Sequence, residues 1–239
     1  MSSLYLVATP IGNLGDITIR ALEVLRAVDT VACEDTRHSL KLLSHFEIRK
    51  PLLACHANDE ERGASRICAL LDEGKEVAYV SDAGTPGLSD PGAAAVRAAR
   101  AAGHAVVPIP GASAFSALVS VSGLPGRSIL FEGFLSPKPG RRRARLAVLM
   151  SRNESFMVYE SPFRIGKLLS DIAALDPDRP LCVGREMTKI HEEISLGSAI
   201  SLLDRFGEGG RGEFAVIVGP GKGEEAETSP CGPRENGVN

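Results

Sequence analysis

Cysteine is scarce here, and it is not arranged for structure. The five cysteines (33, 55, 68, 182 and 231) are odd in number and scattered, with no C-x-x-C pair. That speaks against a disulfide framework and a cysteine zinc site, so no metal is expected and a reducing cytoplasm fits. Long apolar runs are missing too: none approaches the roughly 20 residues a membrane helix needs. Met1 passes into an apolar run at Leu4 without the basic segment of a signal peptide. Neither sign of charge dominates. With 27 Lys+Arg against 30 Asp+Glu, the net charge of −3 argues against a wholly basic nucleic-acid surface, though not against a local patch. The dinucleotide fingerprint G-x-G-x-x-G is absent, the first loop offering only Gly12 and Gly15, which disfavours a dehydrogenase. There is no phosphate loop ending in Gly-Lys-Ser/Thr and no G-x-S-x-G elbow. Nor is there the stacking-aromatic pattern of an RNA-recognition sheet.

What is present is an α/β alternation punctuated by unusual loops. Glu76–Val80 reads as a buried strand and Pro91–Ala102 as an Ala-rich helix. Between them, Ser81-Asp-Ala-Gly-Thr-Pro-Gly-Leu-Ser-Asp90 has hardly a residue able to fill a core. Glycine lets a ligand approach the backbone, and proline stiffens the path. A strand, a polar Gly/Pro loop and a helix is how α/β proteins build crevices at the carboxyl ends of their strands. The loop is about double the usual two to six residues. The bland alternative is an ordinary connection with Asp90 as N-cap and Pro91 at the first helical position.

Leu4–Ala8 is another apolar strand that ends in a Gly/Pro loop, Thr9–Asp16. Strands and helices then alternate through Thr30–Cys33, Leu52–Cys55 and His104–Pro110, predicting a mostly parallel sheet covered on both faces. Ser122-Gly-Leu-Pro-Gly126 marks the expected boundary between an N-terminal α/β domain (1–122) and a mixed α+β domain (123–222). Residues 223–239 are acidic and rich in Gly and Pro, the composition of a disordered tail.

Together these loops resemble one family. Leu4–Thr18, Glu34-Asp-Thr-Arg37, Val80–Gly92 and Pro108-Ile-Pro-Gly-Ala-Ser113 look like the tetrapyrrole-methylase superfamily, and within it the branch that 2'-O-methylates a cytidine of 16S ribosomal RNA. Phe131-Glu-Gly-Phe-Leu135, Tyr159-Glu-Ser161, Arg185-Glu-Met-Thr-Lys189 and Gly212-Glu-Phe214 extend the match. The resemblance implies a two-domain class III methyltransferase fold and S-adenosylmethionine in the cleft between the domains. It also implies a homodimer, with 16S RNA as substrate, within the 30S subunit. Many members of that family carry a small helical domain after the last strand, where this sequence has an acidic tail.

The resemblance places Pro10, the loop residues Asp82, Ala83, Gly84, Thr85 and Pro86, the turn Gly111, Ser113 and Ala114, and Ala215 around the cofactor. Three residues are candidates for the chemistry. Asp90 ends the long loop and is either proton acceptor or helix cap. Lys189 is a base if burial lowers its pKa, or a cation for phosphate. Glu34 stands at a strand end, where sites form, or belongs to an ion-paired corner with Asp35 and Arg37. For RNA the candidates are Arg37 and the one dense basic run, through Lys138, Arg141, Arg142 and Arg145, which is otherwise a solvated face. Two other functions fit the same features: methylation of a tetrapyrrole or other small molecule, and non-catalytic nucleotide or RNA binding.

Overall fold

A computed structural model describes residues 2–124 and 128–221. The first half alternates β1 (Ser3–Val7), α1 (Ile19–Ala27), β2 (Thr30–Cys33), α2 (Thr36–His45), β3 (Leu52–Ala54), α3 (Glu60–Asp72), β4 (Val77–Val80), α4 (Ala93–Ala101), β5 (Ala105–Ile109) and α5 (Ala114–Ser122). Its five strands form a parallel sheet in the order β3-β2-β4-β1-β5. Every residue of β2 and β4 is buried, as a parallel sheet covered on both faces requires. Ile67, Leu71, Ala94, Ala95 and Ala99 of α3 and α4 pack on one face. Ala21 and Leu25 of α1 and Leu43 of α2 pack on the other.

The second half runs β6 (Ile129–Phe134), α6 (Pro139–Ser151), β7 (Ser155–Glu160), α7 (Ile165–Leu175), β8 (Pro180–Arg185), β9 (Glu193–Ser198), α8 (Ala199–Phe206) and β10 (Phe214–Val218). The strand order is β6-β7-β10-β8-β9, with only β6 and β7 parallel. Helices α6, α7 and α8 cover one face through Leu146, Leu149, Leu168, Ile172 and Leu202. The opposite face carries Met157, Cys182, Ala215 and Ile217.

Two features depart from the sequence expectations. Helix α4 starts at Ala93, with Gly92 (φ 134°) as a cap that makes no side-chain bond, so Asp90 is not a helix cap. The loop therefore runs the full stretch 81–92. Helix α5, which the sequence assigns to the first domain, packs Phe115 and Leu118 on the second sheet. Its apolar residues match that sheet's uncovered face, and the loop before it crosses from one sheet to the other. The expected disordered tail, 223–239, lies outside the described residues, as do Pro125 and Gly126 of the Gly/Pro boundary.

Candidate active-site cleft

The strand ends decide where the site can be. In a parallel sheet all strands end on one edge, so the loops after β1, β4 and β5 converge there. Thr9 and Gly84 clamp two of them: Thr9 N–H donates to the Gly84 carbonyl (2.9 Å) and Gly84 N–H to the Thr9 carbonyl (3.0 Å). Thr85 Oγ1 donates to the Ala112 carbonyl (3.3 Å), tying in the third. Gly84 sits at φ 82°, in the left-handed region that side chains avoid. A cleft of about 370 Å³ opens between these loops and the second sheet.

One wall of the cleft is Ile11, Ala83, Gly84, Thr85, Leu88, Ser89, Asp90, Ser113 and Ala114; the other is Phe134, Tyr159–Pro162, Met187 and Glu213–Ala215. Of the expected cofactor residues, Ala83, Gly84, Thr85, Ser113, Ala114 and Ala215 therefore share one cleft. Pro10, Asp82, Pro86 and Gly111 are not in its wall but stand one or two residues behind it. Gly111 has a packing reason instead, since a Cβ there would meet Ala8 Cβ at 3.1 Å.

These walls fit S-adenosylmethionine. Three alanines and a glycine leave room for a flat ring. The Ser113 side chain caps nothing at the start of α5, whose first N–H groups suit a carboxylate.

Asp90 lines the cleft, and its carboxyl is pushed up to about 6. Burial is the main cause; the charges of Glu34 and Asp82 add to it, and a hydrogen bond from Ser81 opposes it. Glu34 lies outside the wall and is itself raised, first by burial and then by Asp82. It acts on the site through charge. This acidic group forms where β2 and β4, neighbours in the sheet, send their chains in opposite directions.

Lys189 is corrected by the structure. Its Nζ lies 2.8 Å from Glu186 Oε1 and 2.9 Å from Glu213 Oε2. Burial alone would lower its pKa, but these two bonds outweigh it and hold Lys189 above its ordinary value. In this arrangement its ammonium is held by two carboxylates, which opposes the lowered pKa a base would need. It braces a turn in which Glu186 (φ 49°) and Thr188 (φ 65°) are both left-handed, and that turn abuts Gly12.

The basic run also divides. Arg142 is buried, its Nε 2.7 Å from Asp171, and so is not available to RNA. Arg145 grips Glu132 through two bonds of 2.7 and 2.6 Å. Lys138 and Arg141 stay exposed at the start of α6. Arg37 is exposed but bonded through its guanidinium to Asp35, the N-cap of α2, which is the ion-paired corner.

Glu160 stands in the Tyr159-Glu-Ser161 motif. Its Oε1 takes the Ser161 N–H (2.8 Å) and Arg164, while its buried Oε2 has no hydrogen-bond partner. Among the described residues no group of His, Cys, Asp or Glu could hold a metal ion, and no helix is long and apolar enough to cross a membrane.

The profile of the Tetrapyrrole (Corrin/Porphyrin) Methylases matches residues 3–202. The chain belongs to that family. The solved structure of the methyltransferase CobJ has a TM-score of 0.71 to this chain, at 19% identity, over 94% of this chain and 97% of its own. Two relatives are much closer in sequence, and both are named "Ribosomal RNA small subunit methyltransferase I". That of Xylella fastidiosa is 48% identical over 90% of this chain and 81% of its own length. That of Borrelia garinii is 45% identical over 90% of this chain and 97% of its own.

Proposed function

We propose that this family member is an S-adenosylmethionine-dependent methyltransferase that modifies the ribose 2'-hydroxyl of a cytidine in 16S ribosomal RNA. The observation that carries the reading is the near full-length identity of 45–48% to proteins named for small-subunit ribosomal RNA. The solved methyltransferase structures, at 18–22% identity, support the fold and no substrate. The 30S subunit as the presented form, the homodimer and a cytoplasmic location belong to the same proposal.

The cofactor, when bound, supplies an electrophilic methyl group on a sulfonium. Gly84, Thr85, Ser113, Ala114 and Ala215 would hold it, and positioning against it supplies much of the acceleration. Asp90 takes the hydroxyl proton at its carboxylate. A ribose hydroxyl is a weak acid, and an acceptor near neutrality suits it better than an ordinary carboxylate. Burial, with the charges of Glu34 and Asp82 added to it, keeps Asp90 in that range.

The test uses labelled S-adenosylmethionine with 30S subunits lacking the modification, free 16S RNA and a tetrapyrrole precursor. Label on one ribose 2'-oxygen is the expected result. Label on the tetrapyrrole would overturn the substrate, and cofactor binding without transfer would favour the non-catalytic reading.

A further inference from the structure

The cleft holds an aromatic side chain that the cofactor's small-residue wall does not account for. Phe134 lines the cleft and is 57% exposed. It is the outer end of a chain of edge-to-face rings: Phe115 to Phe131 at 5.4 Å, Phe131 to Tyr159 at 5.1 Å, and Tyr159 to Phe134 at 5.7 Å. Such a chain fixes a ring without covering it.

A β-bulge puts Phe134 there. In a regular strand Phe131 and Phe134 would face opposite sides. The register of β6 on β7 instead slips between Phe131 and Gly133, so that Phe131 pairs with Met157 and Phe134 with Tyr159. Both then share the face of Met157 and Tyr159, which is turned to the cleft. The extra residue, Glu132, bonds to Arg145 of α6 on the other side. Gly133 makes the slip feasible at φ 71°, where a Cβ would stand 2.5 Å from Ser89 Oγ. The bulge is thus pressed against the loop that carries Asp90, and it re-aims one side chain beside a reactive group.

We propose that Phe134 is the stacking platform for the target nucleobase of the RNA substrate. This rests on the methylation reading given above. The position fits a nucleotide. Ser89, beside Asp90 in the loop, faces Gly133, beside Phe134 in the strand, so a ribose at Asp90 has the Phe134 ring within the same cleft. Lys138 and Arg141, exposed four and seven residues further along the chain, attract the flanking phosphates. A flat aromatic face accepts an unstacked base without asking for a particular hydrogen-bond pattern. This explains how the molecule engages RNA without an RNA-recognition sheet.

The experiment compares wild type with Phe134→Ala, Phe134→Leu and Phe134→Trp, using 30S subunits lacking the modification. Cofactor affinity and thermal unfolding are measured alongside. Stacking worth the usual amount for one base predicts a loss of roughly 5- to 150-fold in kcat/KM for RNA with alanine. Leucine is expected to do no better than alanine, tryptophan to stay within a few-fold of wild type, and cofactor affinity to hold within about twofold. Full activity with leucine would show that only apolar bulk matters, and a parallel loss of cofactor affinity would assign the ring to adenine. Either overturns the platform while wild-type methylation of RNA keeps the functional reading intact. Wild-type enzyme inactive on every RNA would instead overturn that reading and the platform with it.

Discussion

The two walls of the cleft are made of different material. The loop wall is largely backbone and small side chains, with Gly84 and Ser89 at positive φ, and it carries Asp90 with Glu34 and Asp82 behind it. The sheet wall is aromatic and rests on strands of the mixed sheet: Phe134 and Tyr159. The first suits a small molecule gripped through its edges, the second a base pressed through its face. Replacing Asp90 with Asn separates them most sharply. A lost proton acceptor costs on the order of 10²–10⁴ in kcat, while cofactor affinity is expected to stay within about twofold. The wild-type rate should rise about tenfold per pH unit below the raised Asp90 value of about 6 and level off above it. A flat profile across that range, or an Asp90→Asn variant retaining a tenth of the rate, would remove Asp90 from the mechanism.

The next largest effect belongs to the sheet side and is structural. Arg142 and Asp171 are 3% and 5% exposed and lie 2.7 Å apart. Arg142→Ala strands a buried carboxylate, with a cost of about 3 kcal/mol, at the low end for such pairs because Arg143 still holds Asp171. Chemical denaturation measures this. RNA affinity per folded molecule should not change, which is the opposite of what a phosphate-binding arginine would show.

Asp90 also carries a smaller effect on stability. Burial and its carboxylate neighbours raise it from 3.8 to about 6, so the folded state binds more protons than the unfolded chain between those values. Stability from this group therefore falls as pH rises from 3.8 to about 6 and is flat above. Asp90→Asn removes the strained charge. Allowing for solvent screening, it is expected to stabilise the protein by about 1–2 kcal/mol above pH 6 and by nothing near pH 4. Thermal unfolding at the two pH values decides it. A site residue bought at the expense of stability behaves this way, and a merely structural one does not.

The sequence foretold the parallel sheet and most of the loop wall for the same reason. Buried strands such as Val77–Val80 read as unbroken apolar runs, and a long Gly/Pro loop has few uses besides a ligand. The sheet wall was harder to see. Nothing in Phe131-Glu-Gly-Phe134 announces a bulge, because the slip depends on β7 pairing and on Ser89 pressing on Gly133. Long-range pairing also hid the true state of Lys189, whose partner Glu213 is 24 residues away, and of Arg142, whose partner is 29 away. Local composition shows charge, and only the fold shows which charges are already spent.

That distinction yields the smallest and most specific expectation, on the basic helix beside the sheet wall. Four positively charged candidates stand between Lys138 and Arg145. Arg142 is buried on Asp171 and Arg145 is clasped by Glu132, while Lys138 and Arg141 remain exposed. Counterion release scales with the number of phosphates neutralised, so each exposed cation that meets RNA steepens the salt dependence of binding. Replacing Lys138 and Arg141 together with alanine should weaken RNA binding several-fold at moderate salt and flatten the slope of log K against log salt by about one to two units. Stability and cofactor affinity should be unchanged, because neither side chain is packed. Arg145→Ala should alter the slope less, since its charge is already met by Glu132 at 2.6 Å. Titration of RNA at several salt concentrations separates the cases. Equal slopes for wild type and the double variant would mean that the RNA backbone runs elsewhere, and would leave Phe134 without the flanking contacts its position suggests.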